Sequence, residues 1–274
     1  MSLCNLNIRH SYGTICKRSM VILLKNGIRR ILILDEIRGF AIVCMVLHHM
    51  FYDIGFVLGL KWGSRVFDFL CLFQPVFWAV FILTSGICSR LSRSPVKRGL
   101  IVLAAGFIVT LVTAVIMPKM GIEGAEIYFG VLSCLGCCMI ITRLLMPMLN
   151  RCNEKIGMLV SAFLFFAAYN ISGKSLLFGF IKLPEYFYQY DFLCPLGFYS
   201  STFQSADYFP LIPWLFLFLV GVFIGKYAKD GVFHKKAYES HSKVLQLVGK
   251  NSLWVYLAHQ PVLYLIMYII KIFL

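Results

Sequence analysis

Acidic residues are scarce in this chain. Only 12 Asp and Glu stand against 26 Lys and Arg, and charged residues together make up 14% of the 274 positions. A soluble domain carries about 25%, so the low fraction, together with 60% hydrophobic content, excludes an ordinary soluble protein. Several fingerprints are absent as well. There is no P-loop, no Gly-x-Ser-x-Gly nucleophile elbow, no His-Glu-x-x-His helix and no nucleotide fingerprint, so any donor is expected to be recognised by a site without a soluble nucleotide fold. The Cys134-x-x-Cys137 pair has no second pair and no histidine cluster to complete a metal site, so no metal is expected. No internal repeat is visible, whereas many transporters are built from paired halves. The net charge of +14 does not point to nucleic acid, because the basic residues sit at the ends of apolar runs.

What is present is a series of apolar runs long enough to cross a bilayer, at about 37–60, 67–89, 99–117, 127–146, 156–172, 208–227 and 252–274. They predict an all-α polytopic transmembrane helix bundle of about seven spans in one membrane-embedded domain over 31–274. Lys and Arg crowd one set of span ends, at Arg90–Arg98, Arg151 and Lys155, and Lys226–Lys250. By the positive-inside rule this predicts a cytoplasmic N-terminus and an outer C-terminus. Residues 1–30 are basic and lack a small-residue cleavage site, so they read as a cytoplasmic tail rather than a cleaved signal; a start at Met20 stays open.

Acidic residues gather at the opposite ends, among them Asp53, Asp68, Glu126, Glu185 and Asp207. The longest connection, 173–207, is rich in aromatics and is expected to form an interfacial, re-entrant or covering element. The sixth span opens with Asp207-Tyr-Phe-Pro-Leu-Ile-Pro-Trp214, which predicts a kinked or extended start and an interfacial Trp214 anchor. The small residues Ser85-Gly86, Gly130, Ser133 and Gly136 mark close helix packing.

The first span is the most informative stretch. Asp35, Arg38, Ile42, Met45, His49 and Asp53 share one helical face. A charged group at the centre of a span costs roughly 2.5–3.5 kcal/mol on insertion scales, so this stripe faces protein or a water-filled cavity. Asp35 and Arg38 lie near the cytoplasmic end, and His49 about 16 Å further along the axis. Asp53, one turn beyond, is within reach to orient His49, and a histidine beside a carboxylate can act as a general base. Arg38 can bind phosphate or pair with Asp35. His48 points about 100° away and ranks second to His49. A structural network that pins the bundle is the competing role for the stripe.

In the last span Ser252, Tyr256 and His259 share a face, and Pro261 removes the amide that would serve the Leu257 carbonyl. Asp207, Tyr208 and Glu126 lie at outer mouths and are candidate acceptor-side residues.

Taken in order, these segments resemble a known family. The stretches Leu34-Asp-Glu-Ile-Arg-Gly-Phe-Ala-Ile and Met45-Val-Leu-His-His-Met-Phe-Tyr-Asp53 come first. Phe81-Ile-Leu-Thr-Ser-Gly-Ile87, Ile127-Tyr-Phe-Gly-Val-Leu132, Asp207 to Trp214 and Gly249 to Pro261 follow. Together they resemble the heparan-alpha-glucosaminide N-acetyltransferase catalytic-domain family, in its compact bacterial-type form. The spacing of Arg38 and His49 is also similar to that in the first helix of membrane acyltransferases that O-acetylate bacterial glycans.

The resemblance implies transfer of an acetyl or other acyl group from cytosolic acetyl-CoA, the co-substrate, to an amine or hydroxyl of an envelope glycan on the far side. Arg38 and Asp35 would then serve the donor, with His49, Asp53 and His259 at the reaction centre. His48, Ser252 and Tyr256 are further candidates. The expected location is a bacterial inner membrane. The expected partners are membrane lipid and a glycan or amino-sugar acceptor, with a homo-oligomer left open. A transporter or proton-coupled permease is the alternative, with the stripe as its relay.

Overall fold

Residues 31–122, 124–229, 233 and 235–273 are described by the structure, a computed structural model; the expected tail over 1–30 lies outside them. In chain order the helices are α1 (Leu32–Phe56), α2 (Lys61–Cys71), α3 (Gln74–Leu91), α4 (Pro95–Lys119), α5 (Val131–Arg151), α6 (Glu154–Gly173), α7 (Leu211–Ala228), α8 (Lys243–Lys250) and α9 (Ser252–Phe273). All but α2 and α8 are long and apolar enough to cross a membrane, which gives seven candidate spans among the described residues.

Two of the shifts in span edges from the sequence reading have a local cause. The predicted run 67–89 is divided. Residues up to Cys71 belong to the amphipathic α2, and the chain restarts at Gln74 with Pro75 in the first turn of α3. Proline lacks an amide hydrogen, which suits an opening turn and not a continuing one. The first span starts earlier than expected, at Leu32. Its acidic first turns are tolerated because they have partners. Glu36 accepts the backbone N–H groups of His241 and Ser242 at 2.7 and 3.1 Å, ahead of α8, where Ser242 itself caps Leu245 N.

Glycine pairs bring helices into backbone contact. Gly86 on α3 meets Gly221 on α7 so closely that a side chain on either would strike the backbone carbonyl of Phe218 or Leu83. Gly39 and Gly249 seat α8 against α1 in the same way, with the carbonyls of Leu245 and Asp35 in the path. In a membrane, where lipid is as apolar as leucine, such contact supplies packing that the hydrophobic effect does not. Gly106 on α4 lies against Ser133, and Gly136 on α5 against Leu103, as the small-residue pattern predicts.

The core lies where α3, α5, α6 and α7 meet. Phe218, Ile82, Cys134 and Cys138 are fully buried there. Trp214 belongs to this core and is not an interfacial anchor. It is 7% exposed and packs on Phe209 and Phe165 at ring separations of 5.3 and 5.6 Å. The irregular start of α7 explains the change: Ile212 is extended, at φ −99° and ψ 124°, so Trp214 turns inward at the first regular turn.

The connection from Gly173 to Asp207 is a string of 3-10 turns around a short hairpin, in which Ser175 pairs with Lys182. It is tied down at both ends. Tyr188 donates to the Ile171 carbonyl and Tyr208 to the Cys194 carbonyl at 2.7 Å. The segments leading into α5 and α7 run side by side, with Ala206 N donating to Glu126 O at 2.8 Å and Phe209 N to Phe129 O at 2.9 Å.

Candidate functional site

The polar face of α1 looks into a row of three chambers. The widest, about 810 Å³, is a vestibule at the Arg38 end, lined by Asp35, Arg38, Arg93, Arg98 and Lys250. A smaller cavity of about 90 Å³, the neck, shares Arg38, Cys88 and Ser252 with the vestibule and is bounded as well by Ser85, Ser89 and Tyr256. Beyond it lies a cavity of about 310 Å³ that holds His49, with Met45, Gln74, Trp78, Asp207 and Tyr208 in its wall. Phe81 and Tyr256 border both the neck and the His49 cavity. Asp35, Arg38, Ile42, Met45 and His49 of the stripe thus line cavities within the protein, while Asp53 is packed against it, as the energetic argument requires.

His49 faces α9. Its ring lies 5.0 Å from that of His259, centroid to centroid, whereas His48 turns the other way. His48 is buried against Phe67, with a ring separation of 4.7 Å, and its Nε2 lies 3.5 Å from Cys71 Sγ on α2. His259 Nδ1 contacts the carbonyl oxygen of Tyr256. A carbonyl only accepts, so Nδ1 carries the hydrogen and Nε2 presents a lone pair when the ring is neutral. That Nε2 is buried and has no hydrogen-bond partner.

The expected pairing of Asp53 with His49 is not formed. Asp53, 1% exposed, reaches instead to α9, where Oδ1 accepts from Gln260 Nε2 at 3.4 Å. The i,i+4 spacing allowed the contact, but the amide across the helix seam supplies a donor that a histidine turned towards α9 does not. Gln260 stood unremarked in the sequence, since only the folded seam brings it to Asp53.

Asp207 joins three elements. Its Oδ2 accepts from Tyr256 Oη on α9 at 2.8 Å and from Val131 N, the first amide of α5, at 3.2 Å. Desolvation by burial raises the Asp207 carboxyl above its ordinary value, although both donors act in the opposite direction. Burial likewise pushes the Tyr208 phenol up. Glu126, expected beside these two, is half-buried and does not line the His49 cavity; it lies in the extended lead to α5 and offers its carbonyl to Ala206.

The shared face of Ser252, Tyr256 and His259 is observed, but it serves different chambers. Ser252 lines the vestibule and neck, Tyr256 the neck and His49 cavity, and His259 lies against His49. Pro261 lies inside α9, which continues as one helix from Ser252 to Phe273.

At the vestibule, Arg38 Nη1 donates to Gly249 O at 3.2 Å and lies 3.8 Å from Asp35 Oδ1, while Nη2 contacts Cys88 Sγ at 2.6 Å. The guanidinium is thus fixed between α1, α3 and the end of α8. Arg93, Arg98, Lys250 and the neck residues Ser85 and Cys88 were not singled out as site residues. Arg93, Arg98 and Lys250 looked in sequence like orientation charges, and Ser85 like a packing residue.

A neutral His49 in this arrangement can accept a proton from a group in its cavity, and the vestibule at the other end is lined by Arg38, Arg93, Arg98 and Lys250, whose charge suits an anion. A family model described as heparan-alpha-glucosaminide N-acetyltransferase, catalytic, matches residues 30–261 of the chain. No curated protein and no solved structure matches it.

Proposed function

We propose, from the premise that this chain belongs to the heparan-alpha-glucosaminide N-acetyltransferase catalytic family and is a membrane acetyltransferase, that it carries an acyl group from cytosolic acyl-CoA to an acceptor on the outer side. The observation that carries this reading is the row of chambers from the Arg38 vestibule through the neck to His49. The Lys and Arg at the Arg38 end support a cytoplasmic vestibule. The residues there suit an acyl-CoA. Arg38, Arg93, Arg98 and Lys250 offer positive charge to phosphates. The small neck suits the slender β-alanyl-cysteamine end of the acyl-CoA arm, with Ser85, Ser89 and Ser252 available for its amides.

In this reading the acceptor, an amino sugar or sugar hydroxyl, sits in the aromatic cavity against Trp78, Phe77 and Tyr208. His49 takes the proton from the acceptor amine or hydroxyl as that nitrogen or oxygen bonds to the thioester carbonyl carbon. The C–S bond then breaks, and the proton held by His49 passes to the leaving thiolate. Atoms and charge balance: the acyl group moves outward and the acceptor's proton leaves inward on the CoA thiol. His259 Nε2 stabilises the charged His49 ring, and Asp53 with Gln260 fixes the α1–α9 seam beside it. An acyl-His49 intermediate would use the same donor and acceptor positions in two steps.

The experiment is transfer of labelled acetyl from acetyl-CoA to amino-sugar acceptors by purified protein, wild type against His49→Ala. Transfer by the wild type alone is the expected result. No transfer by the wild type removes the enzyme reading, and equal transfer by both removes His49 from its centre. Solute flux in proteoliposomes without transfer would instead point to a permease.

A further inference from the structure

The small helix α8 has two faces with different partners. One face is docked on α1: Gly249 lies in backbone contact with Asp35, Leu245 with Gly39, and Glu36 accepts the His241 and Ser242 amides. The other face is open. Val244 and Leu247 are 70% and 62% exposed, and Trp254, one turn into α9, continues the apolar line at 70%. Lys243 and Lys250 flank this line at the two ends of α8, and Lys235 is exposed in the 3-10 turn just before it.

An eight-residue helix with an apolar strip rimmed by lysines, directly continuous with a membrane span, matches the pattern of a segment lying in the headgroup plane. Leucine, valine and tryptophan then enter the acyl boundary, and the lysine stems reach back to phosphate. We propose that the open face of α8 binds anionic phospholipid of the cytoplasmic leaflet. The leaflet assignment rests on the orientation proposed above; the lipid chemistry rests on the face itself. The exposed charged or titratable groups on α8 and in the segment just before it are Lys235, Lys236, His241, Lys243 and Lys250, with Glu239 the exposed acid. The buried acids beside α8 are engaged: Glu36 accepts the amides of His241 and Ser242 ahead of α8 and lies 3.4 Å from the His241 ring, and Asp35 lies 3.8 Å from Arg38.

The contact has a route to the vestibule. Arg38 donates to Gly249 O at the end of α8, and Lys250 and Trp254 line the vestibule rim. Lipid that holds α8 in place therefore also holds the carbonyl that positions Arg38.

The test uses the full chain in nanodiscs whose bulk lipid is phosphatidylcholine, with a small fraction of brominated phosphatidylglycerol or, in parallel, brominated phosphatidylcholine. Bromine quenches nearby tryptophan, and Trp254→Phe identifies the part of the signal that arises at α8. Stronger quenching of Trp254 by the anionic lipid is expected. Lys235→Gln and Lys243→Gln should each lower that preference about fivefold, the equivalent of about 1 kcal/mol per lysine near a charged leaflet. Equal quenching by the two lipids, or a preference untouched by both substitutions, overturns the proposal. A melting curve for each variant confirms that these exposed positions leave the fold intact. The readout needs neither donor nor acceptor, and both nanodisc leaflets are alike, so failure of the acyltransfer assay or of the orientation leaves its result unaffected.

Discussion

His49 on α1 and His259 on α9 bring their rings to 5.0 Å from each other across a helix seam, although most of the chain lies between them in sequence. The Tyr256 carbonyl fixes which nitrogen of His259 carries hydrogen, and the free Nε2 is left without a partner. His259→Asn keeps a short amide donor for that carbonyl and removes Nε2. Its kcat is expected to fall about 10²-fold or more, the lower range for loss of an acid-base group, with little change in thermal midpoint or donor KM. A variant with unchanged kcat would make His259 a packing residue only.

Arg38 is held by Gly249 O, Cys88 and Asp35 in a planar fork. Arg38→Lys keeps the charge but not the fork, so donor KM should rise, by about tenfold for a loss near 1.4 kcal/mol. Acceptor KM should stay level, since the cavity proposed for the acceptor is lined by His49 and Asp207 and not by Arg38. Steady-state kinetics with each substrate varied in turn separates the two. A rise confined to acceptor KM would reverse the assignment of the chambers.

The stripe on α1 was legible because its period is local: one helix, 3.6 residues per turn, decides which side chains share a face. Seven spans were legible for the same reason, since length and hydropathy act within each segment. The partners were not. Gln260 meets Asp53, and Tyr256 meets Asp207, only through tertiary packing of α9 on α1 and on the lead to α7. Trp214 misled because tryptophan is common at both membrane interfaces and cores, and its environment depends on the extended Ile212 two residues earlier. The amphipathic α2 and α8 were absorbed into span edges and loop, each being too short for hydropathy to register.

Asp207 carries a pH prediction. Its carboxyl is raised in the folded protein, so between its ordinary value and the raised one the folded state binds more protons than the unfolded state. Stability contributed by the protonated form is therefore full below the ordinary carboxylate range and is lost as pH rises through the folded value. Asp207→Asn keeps an oxygen acceptor and does not titrate. Its thermal midpoint should gain on the wild type as pH rises across that window and level off above it. Asp207→Ala leaves Tyr256 Oη and Val131 N unpaired and is expected to lose about 1–3 kcal/mol for each. A parallel pH dependence for wild type and Asp207→Asn would show that the carboxyl is not raised by burial.

The neck offers the sharpest separation between donor binding and transfer. At about 90 Å³ it is much smaller than the chambers on either side, and Ser85 lines it without lining either of them. Ser85 donates to the Phe81 carbonyl one turn back at 2.7 Å, so its side chain lies along α3. Ser85→Leu adds bulk where the arm of an acyl-CoA would pass while leaving Arg38, Arg93 and Arg98 in place. Binding of CoA itself, measured by calorimetry, should persist within about threefold, a change under 1 kcal/mol, because the cationic residues proposed to hold its phosphates are untouched. Acyl transfer should fall at least about 10²-fold, since a misplacement of order 1 Å already costs that much. Ser85→Ala, which widens the neck slightly, should retain transfer. Transfer by Ser85→Leu at the wild-type rate would mean that the acyl group reaches His49 by another route, and loss of CoA binding together with transfer would mean that the neck belongs to the mouth and not to the passage.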